Sequence, residues 1–236
     1  MNIILLSTDD LSGGNARVKL GGRRHRHVIE VLRSSPGDEL TVGLLGGKAG
    51  TGRITKIDTT SLEMEVRFDR DPPPPLPLTL ILALPRPKVL RRVLFSLTVM
   101  GVKRIILVNS ARVEKSYWQT PFLSESAIRK QLLLGLEQSR DTVLPEVLLK
   151  KRFKPFVEDE LPGISVGTKN LIAHPGSAQD CPRDTGGPVT LAVGPEGGFV
   201  PFEIATLVSC GFRPVSLGER ILNVETALPA LIGRLF

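Results

Sequence analysis

Hydrophobic and polar positions along this 236-residue chain form two patterns, separated by a run of prolines. Before the prolines, short apolar segments alternate with polar positions; the clearest places Leu62, Met64, Val66 and Phe68 on one face. This alternation predicts short strands at residues 2–6, 39–44, 52–57 and 61–68. With one helix near residues 27–33, the pattern favours a small β-barrel.

After the prolines, apolar strands and helices alternate, which predicts an α/β fold with a parallel sheet covered by helices. The strands are predicted at residues 78–84, 104–108, 146–149, 171–173, 189–193 and 214–217. The helices are predicted at residues 88–100, 124–138 and 224–235, with another between Pro201 and Gly211. Residues 72–77 favour a stiff, extended linker, because so many prolines suit neither a helix nor a central strand. We therefore expect domains at 1–71 and 78–236.

Two of the predicted strands end in glycine-bearing turns. The run 189–193 is β-branched and uninterrupted, as in a strand buried on both faces, and Gly194 to Gly198 must then turn. The run 214–217 breaks at Gly218 and leads into the last helix. Either turn alone is compatible with an ordinary β-α connection. Because ligands bind at the carboxyl ends of strands in open α/β sheets, the two together predict a pocket formed by both loops.

The sequences of these turns carry a resemblance to a known family. GPEGGF and LGERILNVETA resemble the paired C-terminal signatures of the RsmE family. Weaker matches occur at residues 27–33 with 36–38, 100–102, 137–138 with Pro145, and 174–175. The resemblance implies a SPOUT-superfamily methyltransferase that acts on uridine N3 of 16S ribosomal RNA with S-adenosyl-L-methionine (SAM). It also implies a trefoil-knotted C-terminal domain, a PUA-like N-terminal domain that grips RNA, and a homodimer.

Methylation at a ring nitrogen requires loss of the N3 proton and stabilisation of the charge that spreads onto O2 and O4. Glu196 and Glu225 are candidates to accept that proton, and Arg220 is a candidate to stabilise the anion. Glu225 also suits the first turn of a helix, where the dipole favours a negative charge. His174 could equally be a hydrogen-bonded loop residue. The residues expected to bind the cofactor are Leu171, His174, Pro175, Gly194, Gly197, Gly198, Leu217, Gly218, Ile221, Leu222, Thr226 and Ala227.

The charge distribution favours a nucleic-acid partner. Residues 72–161 carry 15 basic and 8 acidic side chains, which accounts for the whole net charge of +7. A second cluster, residues 17–33, has six cations and one acid. Either cluster alone could be a solvated helix face, but two of them favour phosphate binding. The candidate RNA-binding residues are Arg23, Arg24, Arg26, Arg33, Arg86, Lys88, Arg91, Arg92 and Arg140.

Several other classes are disfavoured. We expect a cytoplasmic protein, because the chain lacks a secretory signal pattern and no apolar run reaches the ~18 residues of a membrane span. No metal is expected, because the three histidines lack the spacing of a metal site. The G-x-S-x-G sequence at residues 163–167 follows no predicted strand, so a hydrolase nucleophile is not expected.

Departures from the family pattern leave alternatives open. Arg86-Pro87-Lys88 stands where the family has Lys-Gly, Val99 replaces an acidic residue, and Asn223 replaces an arginine before Glu-Thr-Ala. Arg140-Asp141 replaces Gly-Arg. One alternative keeps the fold and donor but changes the RNA or the methylated atom. Another is an RNA-binding ribosome-assembly protein whose catalytic site has decayed.

Overall fold

The computed structural model describes residues 1–12 and 17–236, which form two compact units. The first unit contains Met1–Pro74 and Leu132–Leu144, and the second contains Pro75–Gln131 and Pro145–Phe236. Residues 132–144 thus group with the N-terminal unit, whereas the sequence placed them with the C-terminal domain. Burial supplies the reason, because the fully buried side chain of Leu136 belongs to one apolar cluster with side chains near the chain start.

The first unit contains a mixed six-stranded sheet. Its strands are β1 (Ile4–Leu6), β2 (Leu11–Ser12), β3 (Arg17–Leu20), β4 (Glu39–Leu44), β5 (Ala49–Ile57) and β6 (Leu62–Arg70). The sheet order is β1-β4-β5-β6-β3-β2, with β1 and β4 parallel and the other pairs antiparallel. Leu62 and Met64 are buried, and Val66 and Phe68 pack against the same core, so the predicted alternation of β6 is confirmed.

The helix of the first unit begins earlier than predicted. Helix α1 (Gly22–His27) continues as a π-helical turn at Val28–Leu32 and ends at Arg33, whose φ of 55° is left-handed. The predicted range, 27–33, therefore covers only its second half. The N-cap residue is Gly21, which has no side chain to accept a hydrogen bond from the first turn. The sequence therefore carries no capping signal at the start of this helix.

The second unit contains a parallel sheet, as predicted. Its strands are β7 (Leu76–Ala83), β8 (Val102–Val108), β9 (Glu146–Lys150), β10 (Lys169–Ala173), β11 (Val189–Val193) and β12 (Arg213–Val215). The order is β12-β10-β11-β7-β8-β9, and every neighbouring pair is parallel. All five residues of β11 are buried, as expected for a strand covered on both faces.

Helices connect these strands. They are α2 (Pro87–Val99), α3 (Glu125–Ser139), α4 (Phe153–Pro155), α5 (Leu161–Ile164), α6 (Pro201–Ser209) and α7 (Val224–Leu235). The single turns α4 and α5 are joined by a π-helical turn at Phe156–Glu160. Ser165 of the G-x-S-x-G sequence follows α5, is buried, and donates its hydroxyl to the Leu161 carbonyl over 2.9 Å. It is therefore a structural serine, in line with the exclusion of a hydrolase nucleophile.

The prediction that residues 72–77 stay outside a central strand is wrong at their end. Leu76 and Pro77 begin β7, which lies between β11 and β8. The pairing of β7 with β8 is irregular between Leu76 and Thr79. A proline lacks the N–H group of a regular ladder, and strand starts and irregularities of this kind are where a sheet accommodates it.

Among the described residues, no helix combines the length and the apolar character required to cross a bilayer.

Candidate active site

Three parallel neighbouring strands, β12, β10 and β11, end at the same edge of the sheet, and their loops enclose a pocket. It holds about 650 Å³ of empty space, including its open mouth. Its place at the carboxyl ends of the strands is where open α/β sheets bind small-molecule ligands. Its lining residues are Ala173, His174, Pro175, Val193, Gly194, Pro195, Glu196, Gly198, Val215, Ser216, Leu217, Gly218, Arg220, Ile221, Leu222, Val224, Ala227 and Leu231.

The loop after β11 depends on two glycines. A Cβ atom on Gly194 would lie 2.8 Å from the backbone nitrogen of Phe199 and 3.0 Å from the carbonyl carbon of Gly198. Gly198 has a φ of 73°, which side chains disfavour, and its N–H donates to the Pro195 carbonyl over 2.7 Å. The turn therefore closes tightly on itself, and at Gly194 and Gly198 no side chain stands between the backbone and the pocket.

Hydrogen bonds to main-chain carbonyls connect the loop after β10 to the end of β12. The His174 N–H donates to the Val215 carbonyl over 2.9 Å, and the Ser177 hydroxyl donates to the Pro214 carbonyl over 2.9 Å. Gly218 has a φ of 111°, so the second loop turns at a residue without a side chain. The pocket wall is thus fixed by hydrogen bonds between the loop after β10 and the last residues of β12.

Most of the residues predicted to bind the cofactor line this pocket. They are His174, Pro175, Gly194, Gly198, Leu217, Gly218, Ile221, Leu222 and Ala227. Leu171, Gly197 and Thr226 are not among the lining residues. Leu171 is buried inside β10, and the N–H of Thr226 donates to the Asn223 side chain over 2.9 Å.

The sequence reasoning missed an apolar part of the wall. Val193 and Val215 are the last residues of their strands, whereas Val224 and Leu231 share a face of α7 with Ala227. Their spacing of three and seven residues is a helical periodicity that could have identified them. The missed lining residues are Ala173, Val193, Pro195, Val215, Ser216, Val224 and Leu231.

Two of the three predicted catalytic residues lie at the mouth of the pocket. Glu196 and Arg220 are exposed and line it. A carboxylate oxygen of Glu196 accepts a hydrogen bond from the Arg86 backbone N–H over 3.1 Å. This contact orients the Glu196 side chain and leaves its other oxygen open to a ligand.

Glu225 lies on another face of α7. It forms a bidentate ion pair with Arg92 of α2, in which the Arg92 Nε donates to one oxygen and Nη2 donates to the other over 2.8 Å. The hydrogen bonds from Arg92 lower the pKa of Glu225, and the same pair raises the pKa of Arg92. Both residues line a small second pocket, together with Val93, Ser96, Leu97, Met100, Leu228 and Pro229.

Asn223 caps α7 at its N-terminus. Its side-chain oxygen accepts the hydrogen bond from the Thr226 N–H, and its backbone φ and ψ are extended. The residue that departs from the family pattern therefore has a structural role in the helix that begins beside the pocket.

Glu203 is a buried carboxylate that the sequence did not single out. One of its oxygens accepts from the Val200 N–H over 3.0 Å, and the other accepts from the Ala111 N–H over 2.7 Å. A buried carboxylate needs such partners, so Glu203 fixes the loop after β8 to the start of α6. The next residue of that loop, Arg112, donates through Nη1 to the Gly197 carbonyl.

The predicted RNA-binding residues of the first unit divide into paired and exposed arginines. Arg23 forms a bidentate pair with the buried Glu137, with Nη1 to Oε2 at 2.9 Å. Arg24 pairs with Asp10 over 2.7 Å; burial alone would raise the pKa of Asp10, but the hydrogen bonds from Arg24 and Ser7 lower it. The exposed members with no carboxylate partner among the described residues are Arg26, Arg33 and Arg140, whereas Arg23 is exposed and paired.

In the second unit the same division appears. Arg91 lies over the Phe122 ring, with its guanidinium carbon 5.0 Å from the ring centre, and Arg92 is paired with Glu225. Arg86 and Lys88 are exposed at the start of α2.

His25 and His27 have different surroundings within the first unit. In the described ranges, no group of three or more His, Cys, Asp or Glu side chains could hold a metal ion. His25 is buried and its Nε2 bonds to the Asp58 carbonyl over 2.8 Å, whereas burial lowers the pKa of His27.

Known proteins resemble this chain over most of its length. The family model described as an RNA methyltransferase domain matches residues 72–235. Ribosomal RNA small subunit methyltransferase E of Treponema pallidum is 28% identical over 237 residues, covering 96% of this chain and 87% of the relative. The Borreliella burgdorferi protein named ribosomal RNA small subunit methyltransferase E 1 is 26% identical, with 96% and 94% covered.

A solved structure agrees with these relatives. The Neisseria gonorrhoeae ribosomal RNA small subunit methyltransferase E, crystallised with S-adenosyl methionine, has a TM-score of 0.77 and 26% identity and covers 98% of this chain and 95% of its own. The resemblance to the RsmE family is thereby confirmed, and this chain belongs to the RNA methyltransferase domain family.

Proposed function

We propose that this protein transfers a methyl group from SAM to N3 of a uridine in 16S ribosomal RNA. The names of the relatives and the family match support ribosomal RNA methylation with SAM as the cofactor. The observation that carries the proposal for this chain is the pocket at the ends of β10, β11 and β12, which brings both C-terminal signatures together.

The chemistry of the pocket lining supports SAM as its ligand. Its apolar wall, formed by Val193, Val215 and Leu231, suits an adenine ring, and the bare backbone at Gly194 and Gly198 offers hydrogen bonds without side-chain obstruction. No arginine-carboxylate pair blocks the mouth in the described part of the chain, where Glu196 and Arg220 are exposed. The residues that would hold the cofactor are therefore the backbone and apolar groups of the three loops.

Bound SAM supplies a methyl group on a positively charged sulfur, which departs as a neutral thioether when the new bond forms. Glu196 accepts the N3 proton of the uridine, so that the nitrogen electron pair is free to form the N–C bond. Arg220 stabilises the negative charge on the pyrimidine oxygens during this step. The loops fix donor and acceptor in line and exclude water, as a displacement of this kind requires.

Glu225 has a positioning role in this proposal. Its pairing with Arg92 ties the first turn of α7 to α2, and the opposite face of the same helix carries Ala227 and Leu231 into the pocket. Glu225 therefore positions the α7 part of the pocket wall, and the N3 proton of the uridine goes to Glu196 instead.

The remaining family features stay predictions. They are the trefoil knot in the C-terminal domain, a PUA-like RNA-gripping domain at 1–71, the homodimer and the cytoplasmic location. The exposed Arg26, Arg33 and Arg140 support an RNA-binding face on the first unit, since exposed guanidinium groups bind phosphates.

Transfer of labelled methyl from SAM to unmodified small ribosomal subunits, followed by nucleoside analysis, tests this function. The expected product is 3-methyluridine, and a different methylated nucleoside would refute the assignment of the atom. Thermal unfolding with SAM at 100 times its dissociation constant should show a stabilisation of about 2.7 kcal/mol. Absence of that stabilisation, with RNA binding retained, would instead identify an assembly protein with a decayed site.

A further inference from the structure

The loop after β8 reaches the turn after β11 at Arg112, a residue that neither the family resemblance nor the sequence pattern singled out. The buried carboxylate of Glu203 accepts the N–H of Ala111, which fixes this loop against the start of α6. The next residue, Arg112, extends over the turn after β11 and donates through Nη1 to the Gly197 carbonyl. Glu203 therefore holds the backbone next to Arg112, and the Gly197 carbonyl holds its guanidinium.

Gly197 has a specific reason to be glycine. A Cβ atom built on it would lie 3.0 Å from Cδ of Arg112, and this residue has no left-handed φ that would otherwise demand glycine. Gly197 is also absent from the residues that line the pocket. The bare Cα of Gly197 therefore makes room for the stem of Arg112 rather than for the cofactor.

Most of the guanidinium of Arg112 remains available to a ligand. It has five N–H donors, and one contacts Gly197. Arg112 is exposed, and no carboxylate of the described residues lies within ion-pair distance of it. Arg92, in contrast, is engaged by Glu225. Arg112 thus presents a fixed and largely unshared charge immediately outside the pocket mouth.

A second arginine contacts the same turn. The backbone N–H of Arg86 donates to Glu196, the residue before Gly197. Burial and the Glu114 carboxylate raise the pKa of Tyr117, which lies in the loop of Arg112, and the nearby Arg86 guanidinium opposes that shift. Both arginines therefore contact the turn that carries the proposed proton acceptor.

We propose that Arg112, supported by Arg86, binds a backbone phosphate of the target RNA strand next to the methylated nucleotide. The planar fork of a guanidinium matches two phosphate oxygens, and a guanidinium held outside the pocket is placed for the backbone rather than for the base. A phosphate bound at this turn holds the RNA strand beside the pocket, next to the point where the target uridine is extruded. This inference rests on the proposed methyltransferase function and assigns a specific substrate contact to it.

The test uses the full-length protein, a 16S ribosomal RNA substrate and methyl-transfer kinetics at several salt concentrations. Arg112→Gln is expected to raise the KM for RNA about tenfold or more, because a charge-assisted contact is lost, with kcat and SAM affinity unchanged. The dependence of log KM on log salt should become shallower by about one. Gly197→Ala should raise the KM in the same way, through displacement of Arg112, and leave the SAM dissociation constant at the parent value.

Lys115→Gln is the matched control, because it removes an exposed charge from the same loop. It is expected to change the KM by less than Arg112→Gln. A fall in kcat at constant KM would place Arg112 on the base and overturn the phosphate contact. An unchanged KM and salt slope, or weakened SAM binding in Gly197→Ala, would overturn it as well. Failure of the parent protein to methylate RNA would refute the proposed methyltransferase function. In that case, RNA binding by the parent and by Arg112→Gln, measured directly at several salt concentrations, still tests the phosphate contact.

Discussion

A glutamate and an arginine lie on each side of helix α7, exposed to ligands on one side and paired with each other on the other side. On one side, Glu196 and Arg220 are exposed at the mouth of the large pocket. On the other side, Glu225 and Arg92 form a bidentate pair beside a small pocket. The first pair of groups is available to a ligand, whereas the second neutralises itself.

The difference shows why charge alone does not identify a catalytic group. A carboxylate that already accepts two hydrogen bonds from an arginine has a lowered pKa and both oxygens engaged, so it is a poor proton acceptor. Glu196 accepts only a backbone N–H in the structure, and its second oxygen stays available. Availability, rather than proximity to a family signature, separates the two glutamates.

The largest difference between the two glutamates is expected when Glu196 is replaced, in the variant Glu196→Gln. The amide can still accept the hydrogen bond from the Arg86 N–H, but it cannot take a proton, so kcat should fall by about 10²–10⁴-fold. SAM affinity should not change. Single-turnover methyl transfer measures the effect, and Glu219→Gln in the exposed loop after β12 is the control. A kcat near that of the parent would mean that another group or water accepts the proton.

The next largest effect is expected for Gly194→Ala. The added Cβ would meet backbone atoms of Phe199 and Gly198 at 2.8–3.1 Å, so the turn itself must shift. Overpacking of this kind costs about 1–3 kcal/mol; when the SAM-bound form carries this cost, the SAM dissociation constant becomes roughly fivefold to 150-fold weaker. Calorimetric titration measures it.

Gly187→Ala provides the matched control for that change. A Cβ at Gly187 would meet no atom within 4 Å, and this residue has no left-handed φ. Equal SAM affinity in both variants would show that the turn after β11 does not shape the cofactor site.

Much of this site follows from the sequence because its signals are local. Gly194 and Gly218 lie just after apolar runs, and strand ends of a parallel sheet share one edge, so the convergence of the loops could be predicted. The apolar wall residue Leu231 also follows a helical spacing from Ala227. Such residues can be identified from the local periodicity of apolar positions and from the residue types that turns require.

The partners of side chains could not be predicted in the same way. Arg92 and Glu225 are far apart in sequence, and nothing local indicates that α2 and α7 bring them together. Arg24, counted with the RNA-binding set, pairs with Asp10 within the first unit. These pairings depend on tertiary packing, which decides whether an arginine faces RNA or a carboxylate.

A smaller effect is expected at the start of α7, where the two regions meet. Asn223→Ala removes the oxygen that accepts the Thr226 N–H and should lower the free energy of unfolding by about 1 kcal/mol. Asn223→Asp keeps an acceptor and should stay near the parent value. Chemical denaturation monitored by circular dichroism compares the two. Equal stability of the parent and Asn223→Ala would show that the cap does not hold the helix.

The smallest effect, and the one that separates the two sides of α7 most directly, is expected for Glu225→Gln. Because the folded-state pKa of Glu225 is lowered from its ordinary value of 4.5, the ionised pair with Arg92 stabilises the fold above that value. The contribution is lost as the pH falls through the lowered folded-state pKa. The variant should therefore melt slightly below the parent at pH 7, by an amount that shrinks in acid. High salt should reduce the difference too, since the pair is partly exposed. Arg92→Gln should reproduce the change, and the double variant should add little to either single one. A large fall in kcat for Glu225→Gln, with Arg92→Gln fully active, would instead place Glu225 in the chemistry.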